Sequence, residues 1–375
     1  MAGIYIHIPY CKQKCTYCNF HFSTNTKSIN EMMDAMIIEI SQRKDYLKEK
    51  NVGTIYFGGG TPSIIETKYI ELILSKIYSI YDVKKNAEIT LEVNPDDITN
   101  QKIKEYKASG INRLSIGIQS FNDTDLKFMN RGHNAKQALE SIRLAKENGI
   151  ENITIDLIYG VPGLTNKLWK NNLSIINELD INHFSAYALT VEPKTKLDYL
   201  IKTKKISPLQ DKEAEGHFKI LQEKVETMGY TQYEISNFCK DNHLSEHNSS
   251  YWKGKWYLGI GPSAHSFNGD YRQWNIKSNS KYISNIKNKL KYYEIERLSK
   301  KEKYNEYVLT SLRTIWGIDL KYLKDNFDSK TNKHFEKLIK RWELNQNVVT
   351  KNNCKVLTKD GMLFADAISS DLFII

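Results

Sequence analysis

The chain has 375 residues, 40% of them hydrophobic and 26% charged, enough for one large core and a second, smaller unit. Its five cysteines are odd in number and unevenly spread. No secretory-type apolar segment opens the sequence and no run approaches the ~20 apolar residues of a membrane span, so a reducing, cytoplasmic setting with at most peripheral membrane contact is expected. The formal net charge of +10 is mostly dispersed lysine, a solvated basic surface suited to acidic partners or carboxylate-bearing ligands rather than to nucleic acid.

In chain order, the strand-like run Gly3–Pro9 leads into Cys11-Lys-Gln-Lys-Cys15-Thr-Tyr-Cys18. A helix is expected from Ile29 to about Lys48, with Met32, Met33, Met36, Ile37 and Ile40 at roughly helical spacing. Val52–Phe57 reads as a buried strand ending in Gly58-Gly-Gly-Thr-Pro62, followed by a helix from Glu66 to Tyr78. The alternation continues with strand Ala87–Val93, helix Thr99–Ser109, strand Arg113–Ile118, helices between Asp123 and Asn148, strand Ile153–Ile158, helix Lys167–Leu179 and strand His183–Leu189. Strands that alternate with helices, without hairpin signals, predict an α/β fold with a parallel sheet, read as a partial (β/α)6 barrel over residues 1 to 200. An elaboration to about 290 contains helix Asp211–Met228, the strand-like Tyr230–Ser236 and a segment dense in His, Asn and aromatics from Cys239 to His265. Residues 1–290 are expected to form one domain. After the Lys-rich link Arg297–Lys303, residues 300–375 are expected to form a small α+β, winged-helix-like domain.

Three thiols spaced by three and then two residues after a strand can be aimed into one hollow. Thiolates are the ligands of cubane iron–sulfur clusters, which take four when fully protein-ligated. Three leave one iron open to a small molecule, and S-adenosylmethionine (SAM) suits that position through its amino and carboxylate groups. A Cys3His zinc site completed by His7 or His21 is the competing reading. Cys11–Cys18, Gly58–Thr61, Glu92 with Asn94, Gln119, Asp156 with Gly160, and Ala188 all fall at the C-terminal ends of successive strands, the edge where parallel α/β folds bind ligands. Glu92 and Asp156 suit ribose hydroxyls as acceptors or could cap helices. Arg131 could grip a carboxylate bidentately or lie at the surface. The His-rich segment reads as a haem or porphyrin site or as a packed aromatic corner.

Tyr5-Ile-His-Ile-Pro-Tyr-Cys11 with CxxxCxxC, Gly58-Gly-Gly-Thr-Pro62, Glu92-Val-Asn-Pro95, Ser115–Phe121, Arg131-Gly-His133, Asp156–Pro162 and Gly259–His265 resemble the radical SAM family of oxygen-independent coproporphyrinogen III oxidases and their relatives. Within it the chain looks like the haem chaperone branch, HemW. The oxidases carry a fourth cysteine two positions after the third, where Phe20 stands here, and His247-Asn-Ser-Ser-Tyr-Trp252 matches the chaperones' HNxxYW element. The resemblance implies a [4Fe-4S] cluster on Cys11, Cys15 and Cys18. It places Tyr5, Tyr17, Gly59, Gly60, Thr61, Glu92, Gln119, Arg131, Asp156, Ala188 and His265 around SAM. Haem is expected on segment 247–252, with His247 as candidate iron ligand and His243 next in line. The implied function is capture of haem and hand-over to acceptor haemoproteins of a respiratory chain, and a homodimer is compatible with it. The alternatives are a true coproporphyrinogen III oxidase and a binding module that uses the barrel as scaffold.

Overall fold

A computed structural model describes residues 1–375. Strands β1 (Ala2–Ile8), β2 (Asn51–Gly59), β3 (Asp82–Val93), β4 (Arg113–Gln119), β5 (Ile153–Tyr159) and β6 (His183–Ala188) run parallel, each paired with the next. They are buried along nearly their whole length, apart from the polar opening of β3, because helices cover the outer face and the inner face encloses the barrel interior. The intervening helices are α1 (Ile29–Gln42), α2 (Thr67–Tyr78), α3 (Asn100–Ala108), α4 (Asp123–Phe128), α5 (Ala135–Glu147) and α6 (Asn166–Glu178). Four of their starts follow side-chain chemistry: Thr99, Asn122 and Thr165 each accept a backbone N–H at a helix start, and Asn134 with Gln137 forms a capping box on α5.

Beyond β6 come α7 (Lys196–Lys202), α8 (Asp211–Thr227), β7 (Thr231–Gln232), β8 (Asn237–Cys239), α9 (Glu246–Trp252), β9 (Tyr257–Ile260), β10 (His265–Phe267), β11 (Tyr271–Asn275), α10 (Asn279–Lys287) and β12 (Tyr293–Arg297). These extend the sheet at both ends, giving twelve strands in the order β12-β11-β10-β9-β1-β2-β3-β4-β5-β6-β8-β7. The sheet therefore has two free edges and does not close. β9 pairs parallel with β1, a seventh parallel strand with no counterpart in the sequence reading, while β8 pairs antiparallel with β6.

The C-terminal residues form α11 (Lys300–Leu312), β13 (Ile318–Asp319), α12 (Leu320–Asn326), α13 (Ser329–Leu344), β14 (Val348–Lys351), β15 (Cys354–Leu357), α14 (Lys359–Met362) and α15 (Ala365–Leu372). Their sheet has the order β13-β15-β14. Apolar burial divides in two. One cluster of 65 side chains lies between Ala2 and Tyr292, and a second of 13, including Phe335, Ile339 and Trp342, lies between Tyr304 and Leu372. Backbone bonds join the two parts, Ile235 N–H to the Arg313 carbonyl at 3.1 Å and Ile315 N–H to the Tyr233 carbonyl at 3.0 Å. No helix is long and apolar enough to cross a membrane.

Candidate functional site: a thiol-rimmed cavity at the carboxyl edge of the sheet

The three N-terminal cysteines sit on a loop held from several directions. Cys11 N–H donates to the Ser23 carbonyl at 3.1 Å, Thr16 N–H to the Met129 carbonyl at 3.1 Å, and Leu197 N–H to the Thr16 carbonyl at 2.8 Å. The glycine run after β2 lies against the start of this loop: Gly60 N–H donates to the Ile8 carbonyl at 2.9 Å and Thr61 N–H to the Tyr10 carbonyl at 2.7 Å. Gly59 has φ +108°, the left-handed region that favours glycine, and a Cβ there would lie 2.6 Å from the His7 ring. A Cβ on Gly60 would lie 2.5 Å from the Tyr10 carbonyl oxygen. The Gly-Gly-Gly-Thr block thus lets two strand ends touch.

All three thiols are free, half-buried, and open on a cavity of about 620 Å³. Polar groups link two of them in a continuous belt. The Thr61 hydroxyl donates to Cys11 Sγ at 3.3 Å, and Asn94 Nδ2 donates to Thr61 Oγ1 at 3.3 Å. Arg131 then donates through Nη2 to Asn94 Oδ1 at 2.8 Å and through Nη1 to Cys15 Sγ at 3.3 Å. A second bond from Nη2 reaches the Gly117 carbonyl at 2.9 Å, while the buried Arg131 Nε has no partner in the protein. Burial pushes the Cys11 thiol up to about 12 and raises that of Cys18.

Two carboxyl groups face the same space. Glu92, at the end of β3, accepts from Tyr56 Oη at 2.8 Å and from Gly59 N–H at 3.2 Å. Burial pushes it up to about 7, the nearby Asp156 adding to the rise and the two hydrogen bonds opposing it. Asp156, on β5, accepts from Ser115 Oγ at 3.5 Å and is raised by burial. Gln119 closes β4 with φ +65°, where the β4–β5 register shifts, and its side chain lines the cavity. Tyr17 and Ala188 complete the set of expected residues in the wall.

Cys11, Cys15, Cys18, Tyr17, Gly59, Gly60, Thr61, Glu92, Gln119, Arg131, Asp156 and Ala188 thus meet in one place. Three expected residues do not. Tyr5 lies below the cavity, donating to His7 Nδ1 at 3.1 Å, with its ring 6.1 Å from that of Tyr56. His265 is exposed at the start of β10 beside Trp274, outside the cavity wall. His247 is 1% exposed, with Nδ1 bonded to Thr54 Oγ1 at 2.8 Å and Nε2 to Tyr251 Oη at 2.7 Å. Burial, and then the charge of Arg113, hold its imidazole neutral down to about 3. Both nitrogens of His247 are thus engaged within the protein, and the Tyr56 ring stacks on its face with centroids 5.0 Å apart. Sequence reasoning had placed Asn94 at the edge without a role, and missed Arg113, a fully buried guanidinium in the cavity wall whose only signal was a cation opening an otherwise apolar strand.

The donor set fits a cluster better than a single metal ion. Ligands of one tetrahedral zinc converge on a point, and no three His, Cys, Asp or Glu side chains in the protein do so. His7 is further excluded as a fourth zinc ligand, since Nε2 is bonded to the His21 carbonyl oxygen at 2.9 Å and Nδ1 to Tyr5. Three thiols lining one cavity, two of them receiving hydrogen bonds, suit a cluster with its ligands on different irons.

The sequence model of the Radical SAM superfamily matches residues 5–173. The chain is 32% identical over 98% of its length to the heme chaperone HemW of Bacillus subtilis (strain 168), of which it covers 98%. It is 33% identical over 98% of its length to HemW of Buchnera aphidicola subsp. Acyrthosiphon pisum (strain APS), covering 96% of that protein. Its fold is similar to that of coproporphyrinogen III oxidase (HemN) from Escherichia coli, a radical SAM enzyme, with a TM-score of 0.83 over 99% of this chain and 90% of that one at 22% identity. A match of this length, on top of the cysteine rim and the glycine block that supports it, decides the assignment: the chain belongs to the HemW family of the radical SAM superfamily.

Proposed function

We propose that Cys11, Cys15 and Cys18 hold a [4Fe-4S] cluster, that SAM occupies the cavity beside it, and that the protein binds haem and delivers it to acceptor haemoproteins. The observation that carries the first part is the hydrogen-bonded belt from Cys11 through Thr61, Asn94 and Arg131 to Cys15. Such donors stabilise thiolate charge and fix where the sulfurs stand. When bound, a reduced cluster can supply an electron to the sulfonium of SAM.

The residues of the chain bind and orient. The free Nε of Arg131 offers a donor to an anionic group in the cavity, and the carboxylates of Glu92 and Asp156 offer acceptors to amino or hydroxyl groups. Gly59, Gly60 and Thr61 bring backbone close to the ligand, while Tyr17, Gln119 and Ala188 bound its volume.

For haem, support comes from the name of the full-length relatives and from the HNxxYW element. Since His247 is enclosed, His243, exposed four positions earlier, is the accessible imidazole nearest to it in the chain. At the position where the oxidases carry a fourth cysteine, Phe20 stands at the cavity mouth, 69% exposed. Acceptors in a respiratory chain, homodimer formation, and a division into domains 1–290 and 300–375 belong to the same proposal.

The test is anaerobic. Reconstituted protein receives coproporphyrinogen III, SAM and a reductant, and haem is titrated into a parallel sample. Haem binding without porphyrin turnover is the expected result. Formation of protoporphyrinogen IX would replace the chaperone reading by that of an oxidase.

A further inference from the structure

We infer that α9, the helix carrying His247-Asn-Ser-Ser-Tyr-Trp252, is the floor of the cavity, and that His247 is a positioning residue for Glu92 rather than a haem ligand. The inference rests on the reading of the cavity as the SAM site.

The helix is docked under the parallel strands by its own backbone. The Glu88 carboxylate, on β3, accepts the N–H groups of Glu246 and His247, both at 2.9 Å, and its charge is balanced by Arg113 Nε at 3.8 Å. An acidic group at a helix N-terminus satisfies orphan donors and complements the partial positive charge there. This fixes where the imidazole enters the barrel. Gly3 on β1 leaves room for it, since a Cβ there would lie 3.2 Å from His247 Cε1 and 2.9 Å from Thr54 Oγ1.

Once inside, the ring is held in every direction. Thr54 and Tyr251 take its two nitrogens, and its face lies on Tyr56 with centroids 5.0 Å apart and planes 22° from parallel. Tyr56 in turn donates its hydroxyl to Glu92 at 2.8 Å. His247 therefore sets the position of the phenol that orients the Glu92 carboxylate. A phenylalanine could supply the stack but neither hydrogen bond, which is a physical reason for histidine that requires no iron.

The rest of the element fits the same role. Asn248 lines the cavity wall, Tyr251 caps the far nitrogen of His247, and Trp252 lies under the Arg313 guanidinium at 5.7 Å. The Lys253 ammonium sits 3.9 Å from the Trp316 ring. One short helix thus touches the ligand cavity on one side and the C-terminal unit on the other.

The experiment uses the full chain, reconstituted anaerobically and matched for iron and sulfide. In wild type, His247→Ala, His247→Phe and Tyr251→Phe it measures SAM affinity by equilibrium dialysis, the change SAM makes in the electron paramagnetic resonance of the reduced cluster, and haem affinity by titration. His247→Ala is expected to weaken SAM about tenfold and to alter the SAM-dependent signal. His247→Phe, which restores the stack but neither hydrogen bond, is expected to recover only part of that loss, with haem affinity near wild type in both. Should His247→Ala fail to incorporate cluster, Tyr251→Phe decides, because it removes one bond without opening a cavity; about a threefold loss of SAM affinity is expected. Unchanged SAM affinity in the variants, or loss of haem in both His247 variants with SAM affinity intact, overturns the inference. A wild-type protein that retains no SAM fails one step earlier, at the reading of the cavity itself.

Discussion

The guanidinium of Arg131 donates to the thiol of Cys15 at 3.3 Å, although 116 positions separate the two residues in the chain. A cation fixed against a ligand sulfur stabilises the more negative, reduced state of a cluster and pulls its potential upward. Arg131→Ala is expected to lower the midpoint potential by on the order of tens of millivolts and to weaken SAM retention by about 10- to 100-fold, since charge-assisted bonds of this kind are worth ~1.5–3 kcal/mol. Lysine at this position should restore little, because it cannot span Cys15, Asn94 and Gly117 together. Redox titration followed by spectroscopy checks both statements.

Glu92 gives a pH dependence whose sign can be worked out. Its carboxyl is raised from 4.5 to about 7 in the folded protein, so the folded state binds that proton more tightly than the unfolded chain. The resulting stabilisation is complete below about 4.5 and is lost as pH rises through about 7. Glu92→Gln is therefore expected to melt a few degrees higher than wild type above pH ~7, with the gap closing in acid. Ligand affinity should run the other way. Wild type loses SAM as the pH falls below about 7, whereas the glutamine variant binds weakly at every pH. Melting curves and dialysis across pH 5 to 9 separate the two effects.

Gly60→Ala tests the support of the cysteine loop. The added methyl would meet the carbonyls of Tyr10 at 2.5 Å and Ile8 at 2.9 Å, both backbone atoms with little room to move. A loss of ~1–3 kcal/mol is expected, together with reduced iron and sulfide content after reconstitution. Full cluster content in a destabilised Gly60→Ala protein would show that the glycine serves packing alone.

The fold was legible because buried parallel strands write themselves as short apolar runs. Arg113–Ile118 and Ile153–Ile158 were placed within one residue of their ends. What escaped was long-range pairing. Tyr257–Ile260 carries no local mark of a strand that lies beside Ile4; the run Tyr230–Ser236 contains only the two-residue strand Thr231–Gln232, and the strand Asn237–Cys239 beyond it has no counterpart in the sequence reading. At the site, strand-end position located Glu92 and Gln119, since a parallel sheet sends every such end to one edge, whereas Asp156 lies three residues short of the end of β5 and reaches the cavity from mid-strand. His247 shows the converse limit. Chemistry marks an imidazole as a ligand, but whether its nitrogens are already spent depends on Thr54 and Tyr251, which only the folded chain brings to it.

The second apolar cluster should melt on its own. Phe335 is 1% exposed at its centre, and Phe335→Ala is expected to cost ~3–5 kcal/mol locally. If residues 300–375 form a separate domain, calorimetry will show a low-temperature transition that splits from the main one, with cluster content unchanged. A single cooperative transition shifted as a whole would argue for one folding unit.

For haem, His243→Ala is expected to weaken binding by an order of magnitude or more while iron and sulfide content stay at wild-type level. Optical titration measures it, and an unaltered Soret band would remove His243 from consideration.

The pairing of β1 with β9 sets a clock on assembly. The strand that launches the cysteine loop has β2 on one flank and, about 250 residues later in the chain, Tyr257–Ile260 on the other. At ~5–20 residues per second a ribosome needs tens of seconds to make that stretch. Throughout that time one edge of the first strand lacks its neighbour. The thiols therefore emerge first and are immobilised late, and iron and sulfide delivered before the second flank arrives would meet a loop still free to move.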